Sequence, residues 1–287
     1  MLGLKRGAVE LCPHEKQWDE EAARTIEKLR FLLGSAARRI EHIGSTSVES
    51  IAAKPIIDIA VETDSFDSVT ALKEKLEKNG FYLRECGLEG QLLLASGSFY
   101  TDEGDEQTHF IHVVKTNSSQ WYDYINYRDY LRKHIDVAKE YEKIKIRLAA
   151  ENYNREEYTE GKNEFISRVL KKAFAMSFLG KTVDIVIDRP IGYVHFSGGH
   201  SLSYPVNYGY IPDTVGGDGE ELDVYLLGVS APVSKYRAKI IAVVHRKDDV
   251  EDKLVAVPEG YTFSKDEIYE AVSFQEKYFN SCIEMNG

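Results

Sequence analysis

The sequence predicts an α+β chain of two domains. A sheet packed by helices is expected over residues 1–176, and a small barrel or sandwich over residues 177–287. Three observations carry this. At 287 residues the chain is nearly twice the length of an average domain. Long amphipathic helical patterns alternate with strands up to about residue 176. From SFLGKTVDIVID onward, short β-like runs follow one another between Gly, Pro and Asp turns.

In order, residues 7–12 read as a short strand. Residues 13–34 read as a helix with Trp18, Ala22, Ile26, Leu29 and Leu33 on one face and Gly34 as its stop. ARRIEHI is a strand, GSTS a turn leading to a short helical segment, and residues 55–62 a second strand. A helix over 65–79 buries Phe66, Val69, Leu72 and Leu76 and ends at Gly80. Strands near 91–99 and 108–115 flank a polar loop. Three helices follow, marked by Trp121, Tyr124 and Ile125, by Tyr141, Ile144 and Leu148, and by Phe165, Ile166, Val169, Leu170 and Ala173. In the second domain TVDIVI, LDVYLLG, AKIIAVVH and KLVAVP read as strands. A helix from Ser264, capped through Glu267, closes the chain.

Hydrophobic content of 43% argues for folded cores. No apolar run approaches the roughly 20 residues of a membrane helix, no signal peptide is visible, and three scattered cysteines fit a reducing compartment. A cytoplasmic protein with no membrane partner is expected. The net charge of -11 argues against nucleic acid as a partner. The last 111 residues hold 10 Lys+Arg against 17 Asp+Glu, so the second domain is the more acidic. The sequence leaves an oligomer open.

Two stretches carry chemistry. YPVNYGYIPDTVGGDGEELD (204–223) packs three tyrosines, four glycines and five carboxylates into twenty residues. Asp218, Glu220 and Asp223 on a glycine turn before an apolar strand suit a magnesium ion, which takes oxygen ligands and keeps room for water and phosphate. A solvated surface turn is the other reading of the same composition. In the first domain, the GSTS turn (44–47) precedes a strand on which Asp58, Ala60 and Glu62 share a face. Phosphate on such a turn beside a strand acid is a workable nucleotide geometry, and a plain strand-to-helix connection is the alternative. His109 and His112, three apart in a strand, face opposite sides and read as structural.

IEHIGSTSVESIAAKPIIDI, THFIHVV, YRDYLR and YTEGKNEFI, in that order over most of residues 7–175, resemble the GrpB family. The resemblance implies a nucleotidyltransferase-like fold with a helical tail. It implies Gly44 and Ser45 at the phosphate turn, Lys54 nearby, Asp58 as the metal-holding acid with Glu62 along the same face, and a nucleoside triphosphate as ligand. Ala60 stands where active nucleotidyltransferases place a second acid, and Gln107 where relatives often carry arginine.

YPVNYGYIP, DGEELD, DDVEDKLVAVP and FQEKY are similar to the soluble inorganic pyrophosphatases. That resemblance implies an OB-like β-barrel and hydrolysis of diphosphate or a related phosphoanhydride, with Mg2+ or Mn2+ as cofactor. It implies metal ligands at Asp218, Glu220, Asp223 and either Glu251 or Asp252. Asp223 would orient water, Lys253 would meet phosphate, and Tyr204, Asn207, Tyr208 and Tyr278 would line the substrate side. The cationic side departs from the family: GYV (192–194) replaces a Lys-x-Glu pair, no arginine lies between Arg189 and Tyr204, and Phe279 stands in place of a lysine. A catalytically weak nucleotide- or metal-binding module is the second function class.

Overall fold

The computed structural model describes residues 2–84, 89–99, 105–151, 155–197, 200–216, 219–249 and 251–285. The chain forms two compact units, Met1–Ile166 and Ser167–Gly287.

The first unit contains β1 (Leu4–Lys5), α1 (Lys16–Leu33), β2 (Arg39–Ile43), β3 (Ile57–Thr63), α2 (Phe66–Thr70), α3 (Lys73–Glu77), β4 (Tyr82–Arg84), β5 (Gln91–Ser98) and β6 (Glu106–Lys115). Helices α4 (Ser119–Lys133), α5 (Ile135–Ala150) and α6 (Arg155–Glu160) follow, and α7 (Asn163–Met176) begins here and ends in the second unit. The sheet order is β2-β3-β6-β5-β4. Strand β3 runs parallel to β6, and its other neighbour β2 is antiparallel. Alternation along β3 gives two faces with different uses. Ile57, Ile59 and Val61 enter the core built on Trp18, Leu29 and Leu33 of α1, while Ala60 packs with Trp121 of α4.

Several boundaries differ from the sequence expectations. In place of a strand over 7–12 there is β1 at residues 4–5, a left-handed turn at Gly7 and an isolated bridge from Cys12 to Ala53. The helix expected over 65–79 is two short helices, joined where the Leu72 N–H bonds back only three residues to Val69 O. Val69 and Leu76 remain buried on one side. Gly34 ends α1 with φ 52°, a left-handed conformation that suits glycine.

The second unit contains β7 (Thr182–Arg189), β8 (Val194–Ser197), β9 (His200–Ser203), β10 (Asn207–Tyr210), β11 (Asp223–Leu226), β12 (Lys235–Arg246), β13 (Lys253–Val257), α8 (Lys265–Glu276) and β14 (Ser281–Met285). The order β13-β11-β10-β7-β12, with β12 pairing again to β13, closes a five-stranded barrel, and β14 is added on β12. This is the OB-like architecture expected of the domain. Its interior is filled by Ile185, Val224, Leu226, Ile240, Val243 and Leu254. A second apolar cluster, with Tyr204, Tyr208 and Tyr225, packs against Ile268 and Val272 of α8. The Ser264–Glu267 capping box starts α8 as its sequence predicts.

Strand β10 crosses β7 at a bulge where Gly209 meets backbone. A methyl group there would lie 1.9 Å from Val186 O and 2.8 Å from Ile187 Cα. Gly209→Ala is therefore expected to destabilise the barrel by roughly 1–3 kcal/mol. Hydrogen exchange followed by mass spectrometry should show faster exchange in β7 and β10, with β3 and β6 unchanged.

Candidate functional sites

In the first unit, the GSTS turn connects β2 toward β3 and is held from several sides. Ser47 Oγ donates to Gly44 O at 2.6 Å, and Arg132 of α4 donates to Ser47 O at 2.9 Å. Arg128, also from α4, bonds the carbonyl of His42 just before the turn. His42 itself packs under it, 3.0 Å from Thr46 Oγ1, and burial lowers its pKa to about 4, so it is a neutral imidazole. Gly44 has φ 69°, and a Cβ placed on it would lie 2.5 Å from Asp58 Oδ2. Glycine thus lets the turn press directly on the β3 carboxylate.

Beyond that turn lies an open cavity of about 340 Å³. Its lining joins Gly44, Ser45, Lys54 and Asp58, all expected from the sequence, with His112, Tyr141, Lys145, Tyr158 and Lys162. His112 Nε2 is 3.4 Å from Asp58 Oδ1, and its Nδ1 is 3.3 Å from Tyr124 Oη. His109 faces the other way, toward Thr25 and Glu21 of α1. The opposite facing and the hydrogen-bonding role agree with the expectation of structural or hydrogen-bonding histidines, and His112 also lines the cavity. Lys54 Nζ lies 3.9 Å and Lys162 Nζ 4.5 Å from the centroid of the Tyr158 ring.

Glu62 does not join this group. It lies four residues from Asp58, about 13 Å along an extended strand. Its carboxylate takes a two-pronged bond from Arg39 at 2.6 and 2.7 Å and the Asn117 N–H at 3.1 Å. The expected metal role for Glu62 is corrected to an ion-paired anchor; its residue type and strand face were legible, its partner across β2 was not weighed.

Lys145 was not anticipated. Only 2% exposed, it donates to Ala52 O, while Glu142 one turn earlier accepts the Ala52 N–H. Together they clamp one peptide of the segment between the turn and β3. Burial first, then Lys162, lowers the Lys145 pKa to about 7, partly opposed by Glu142. Helical spacing from Tyr141 to Lys145 to Leu148 marks a buried stripe that includes the lysine, which is the signal sequence reasoning passed over.

In the second unit, Asp223 at the start of β11, and Glu251 just before β13 both bond the Lys253 ammonium. The parallel pairing of β11 with β13 aligns Val224 with Leu254, which sets Asp223 beside Lys253. A Cβ on Gly216 would lie 3.0 Å from Glu251 Oε1, so the glycine turn before β11 passes close over this carboxylate. Asp188 is also near. Burial first, and then the Asp223 charge, raise its pKa against the effect of Arg189. Burial and Asp223 likewise push the Tyr208 hydroxyl well upward. Arg189 donates to Tyr204 Oη at 2.8 Å and lies over the rings of Tyr204 and Tyr208.

Three expected residues stand elsewhere, and Glu220 lies on the turn that passes over Glu251. Asp252 bonds His245 Nδ1 at 2.6 Å and the Arg246 N–H at 3.2 Å, so its carboxylate is taken up by strand β12. Asn207 is fully buried, with its amide oxygen accepting from Ile191 N and Val233 N and its amide nitrogen donating to Val229 O and Ala231 O. It staples loops and has no capacity left for substrate. Tyr278 is 69% exposed after α8. Glu220 is exposed, with its carbonyl accepting from Gly216 N–H. Asp218 lies outside the described residues. Among the described residues no cluster of three or more His, Cys, Asp or Glu is gathered tightly enough to hold a metal ion. The donor chemistry of Asp223 and Glu251 nevertheless fits a hard divalent cation.

The family model described as GrpB protein matches residues 8–172. The chain belongs to the GrpB family. A second family model, inorganic pyrophosphatase, matches residues 187–282. The glutamate-rich protein GrpB of Alkalihalophilus pseudofirmus is 35% identical over 176 residues, which cover 60% of this chain and 99% of that relative. The crystal structure of GrpB from Enterococcus faecalis has a TM-score of 0.53 at 29% identity, covering 58% of this chain and 99% of that one. Inorganic pyrophosphatase from Ehrlichia chaffeensis aligns with a TM-score of 0.31 at 22% identity, over 37% of this chain and 87% of that one. The protein thus joins a GrpB domain to an inorganic pyrophosphatase domain. Among the described residues no helix is long and apolar enough to cross a membrane.

Lys145 ties the stability of the GrpB domain to pH. The unfolded chain keeps this proton up to about pH 10.5, whereas the folded domain releases it near 7. Below 7 both states are charged and the fold bears the full cost of burying the ammonium; between 7 and 10.5 stability rises with pH. Lys145→Met is therefore expected to gain stability over the wild type at pH 6 by on the order of a few kcal/mol more than at pH 10. Urea titrations at both pH values, with exchange of α5 as the reporter, check this; an equal difference at both would remove the assignment.

Proposed function

We propose that the second domain hydrolyses inorganic diphosphate or a closely related phosphoanhydride, with magnesium or manganese as cofactor, and that the GrpB domain takes a phosphorylated ligand such as a nucleoside triphosphate. The observation that carries the hydrolase half is the Lys253 ammonium bonded to both Asp223 and Glu251 beside Tyr208 and Arg189. It joins oxygen ligands for a cation to donors for a phosphate within one small region.

Asp223 and Glu251 would hold the metal, with Asp218 and Glu220 of the preceding turn as the remaining candidates. When bound, the ion supplies a water acidified toward neutrality and counter-charge for phosphate oxygens. Asp223 would orient the attacking water and accept its proton, and in the free protein it is bonded by Lys253. Lys253 then exchanges a carboxylate for a phosphate oxygen, and charge-assisted contacts of that kind favour the more negative transition state. Arg189 and the Tyr204 and Tyr208 hydroxyls take the place of the missing family cations. In the GrpB domain, ligand phosphate would lie against Gly44, Ser45 and Lys54 beside Asp58. If that domain transfers a nucleotidyl group, diphosphate is the product, and its hydrolysis makes the transfer irreversible.

One observation favours a second reading, a binding module with little turnover. Phe279, at the position of a family lysine, stacks on Arg246 at 3.7 Å, and that arginine is held by Glu276. Neither offers a charge to substrate.

Phosphate release from magnesium diphosphate by the full chain separates the two. Turnover is expected for the wild type, a drop of at least about 100-fold for Asp223→Asn, and loss on chelation. Turnover untouched by Asp223→Asn would remove the assigned site, and none at all at high protein concentration would leave the binding module as the function.

A further inference from the structure

The described lining of the GrpB-domain cavity holds more lysines than carboxylates. Lys5, Lys54, Lys145 and Lys162 line it, and Asp58 is the one carboxylate among the described lining residues. Glu62, the other acid of that strand face, is spent on Arg39. Ala60 occupies the position between them and packs on Trp121. The cavity therefore lacks the pair of strand carboxylates with which a divalent cation would be held against a phosphate chain, and it has ammonium groups instead.

We propose that this cavity binds the phosphate chain of a small molecule through Lys54, Lys145 and Lys162, with no divalent cation required. The inference deepens the reading of the GrpB domain as one that takes a phosphorylated ligand, and it rests on that reading.

The three lysines come from separate parts of the chain. Lys54 precedes β3, Lys145 lies on the inner face of α5, and Lys162 sits between α6 and α7. Two of them are posed on one support, since both Lys54 and Lys162 lie over the ring of Tyr158. Cation–π contact with a buried tyrosine limits where two flexible side chains place their charges. The third, Lys145, reaches the cavity from the interior. Its hydrogen bond goes to the neutral carbonyl of Ala52, and the nearby Glu142 is committed to Ala52 N–H and to Lys139. A buried ammonium bonded to a carbonyl keeps most of its charge uncompensated. Lys162 is close enough to depress its proton affinity further. An anion of several charges is the ligand that relieves this arrangement, and a phosphate chain supplies oxygens along a line that three separated ammonium groups can meet. The volume of about 340 Å³ falls at the lower end of the range for small-molecule sites, about 300–1,000 Å³.

Calorimetric titration of the full chain with ATP, tripolyphosphate and adenosine tests this, each in excess EDTA and again in magnesium. ATP and tripolyphosphate are expected to bind in EDTA about as tightly as in magnesium, and adenosine not at all. Lys54→Ala and Lys162→Ala, both at partly exposed positions, are each expected to weaken binding in EDTA by about tenfold. Equal affinity for the two phosphate compounds would identify the chain alone as the recognised group, and tighter ATP would add a nucleoside contact. Binding that appears only with magnesium, or that ignores both lysine substitutions, would overturn the proposal while leaving a phosphorylated ligand in place. Absence of binding in either medium would remove the ligand reading itself. Unchanged circular dichroism of the variants keeps loss of fold out of the comparison.

Discussion

The second domain depends on one contact, the Lys253 ammonium bonded to Asp223 and Glu251. Two carboxylates held this close carry like charge and repel. Lysine between them offsets that repulsion without a metal, so the barrel can fold around its acids first. The backbone enforces the contact: β11 and β13 are parallel neighbours in the barrel, and the register that buries Val224 and Leu254 also brings Asp223 to Lys253. Packing of apolar residues thus sets the positions of polar ones one residue away.

The GrpB domain solves the opposite problem. Its cavity collects lysines, and Asp58 is the one carboxylate among the described lining residues. Arginines of α4 hold the backbone of the 44–47 turn from outside, and Lys145 with Glu142 grips the Ala52 peptide. Each of these cations does mechanical work as well as electrostatic work, holding backbone carbonyls in or beside the loop that carries Gly44 and Ser45. The cost is a lysine buried 98% from solvent, with its proton affinity lowered toward neutrality. A structural fold alone would be served as well by an apolar residue at that place, and this is why the lysine points to a ligand.

How much of this was legible in the sequence depends on the range of the interaction. The long helices α1, α4 and α5 and strands β3, β6, β7, β12 and β13 follow from periodicity, because their apolar faces repeat over many residues. Strands β4, β10 and β14 have three to five residues and no usable period, so only the sheet reveals them. Asp58, Gly44, Asp223 and Lys253 could be singled out because each stands in a short stretch whose own residues mark it, although Gly44 meets Asp58 and Asp223 meets Lys253 only in the fold. The failures are those of long-range pairing. Glu62 was claimed by Arg39 on β2, Asp252 by His245 on β12, and Asn207 by backbone groups 16 to 26 residues away. Nothing local in any of these residues distinguishes a ligand from a staple.

The two domains bring inverse charge patterns to the same chemical group. A phosphate chain needs cations, which the first cavity supplies as lysines and the second domain supplies mostly by way of an ion its carboxylates can hold. Lysines on separate elements match extended chains and release them without chemistry, since an ammonium neutralises charge but does not acidify a water. Carboxylates around a metal do acidify water, and so favour bond cleavage. Under the proposed function, a chain carrying both would bind an extended phosphate in the first cavity and cleave a short one in the second domain. If the first domain does transfer a nucleotidyl group, the diphosphate it frees would equilibrate with solution, so its hydrolysis would pull the transfer forward without any contact between the two sites.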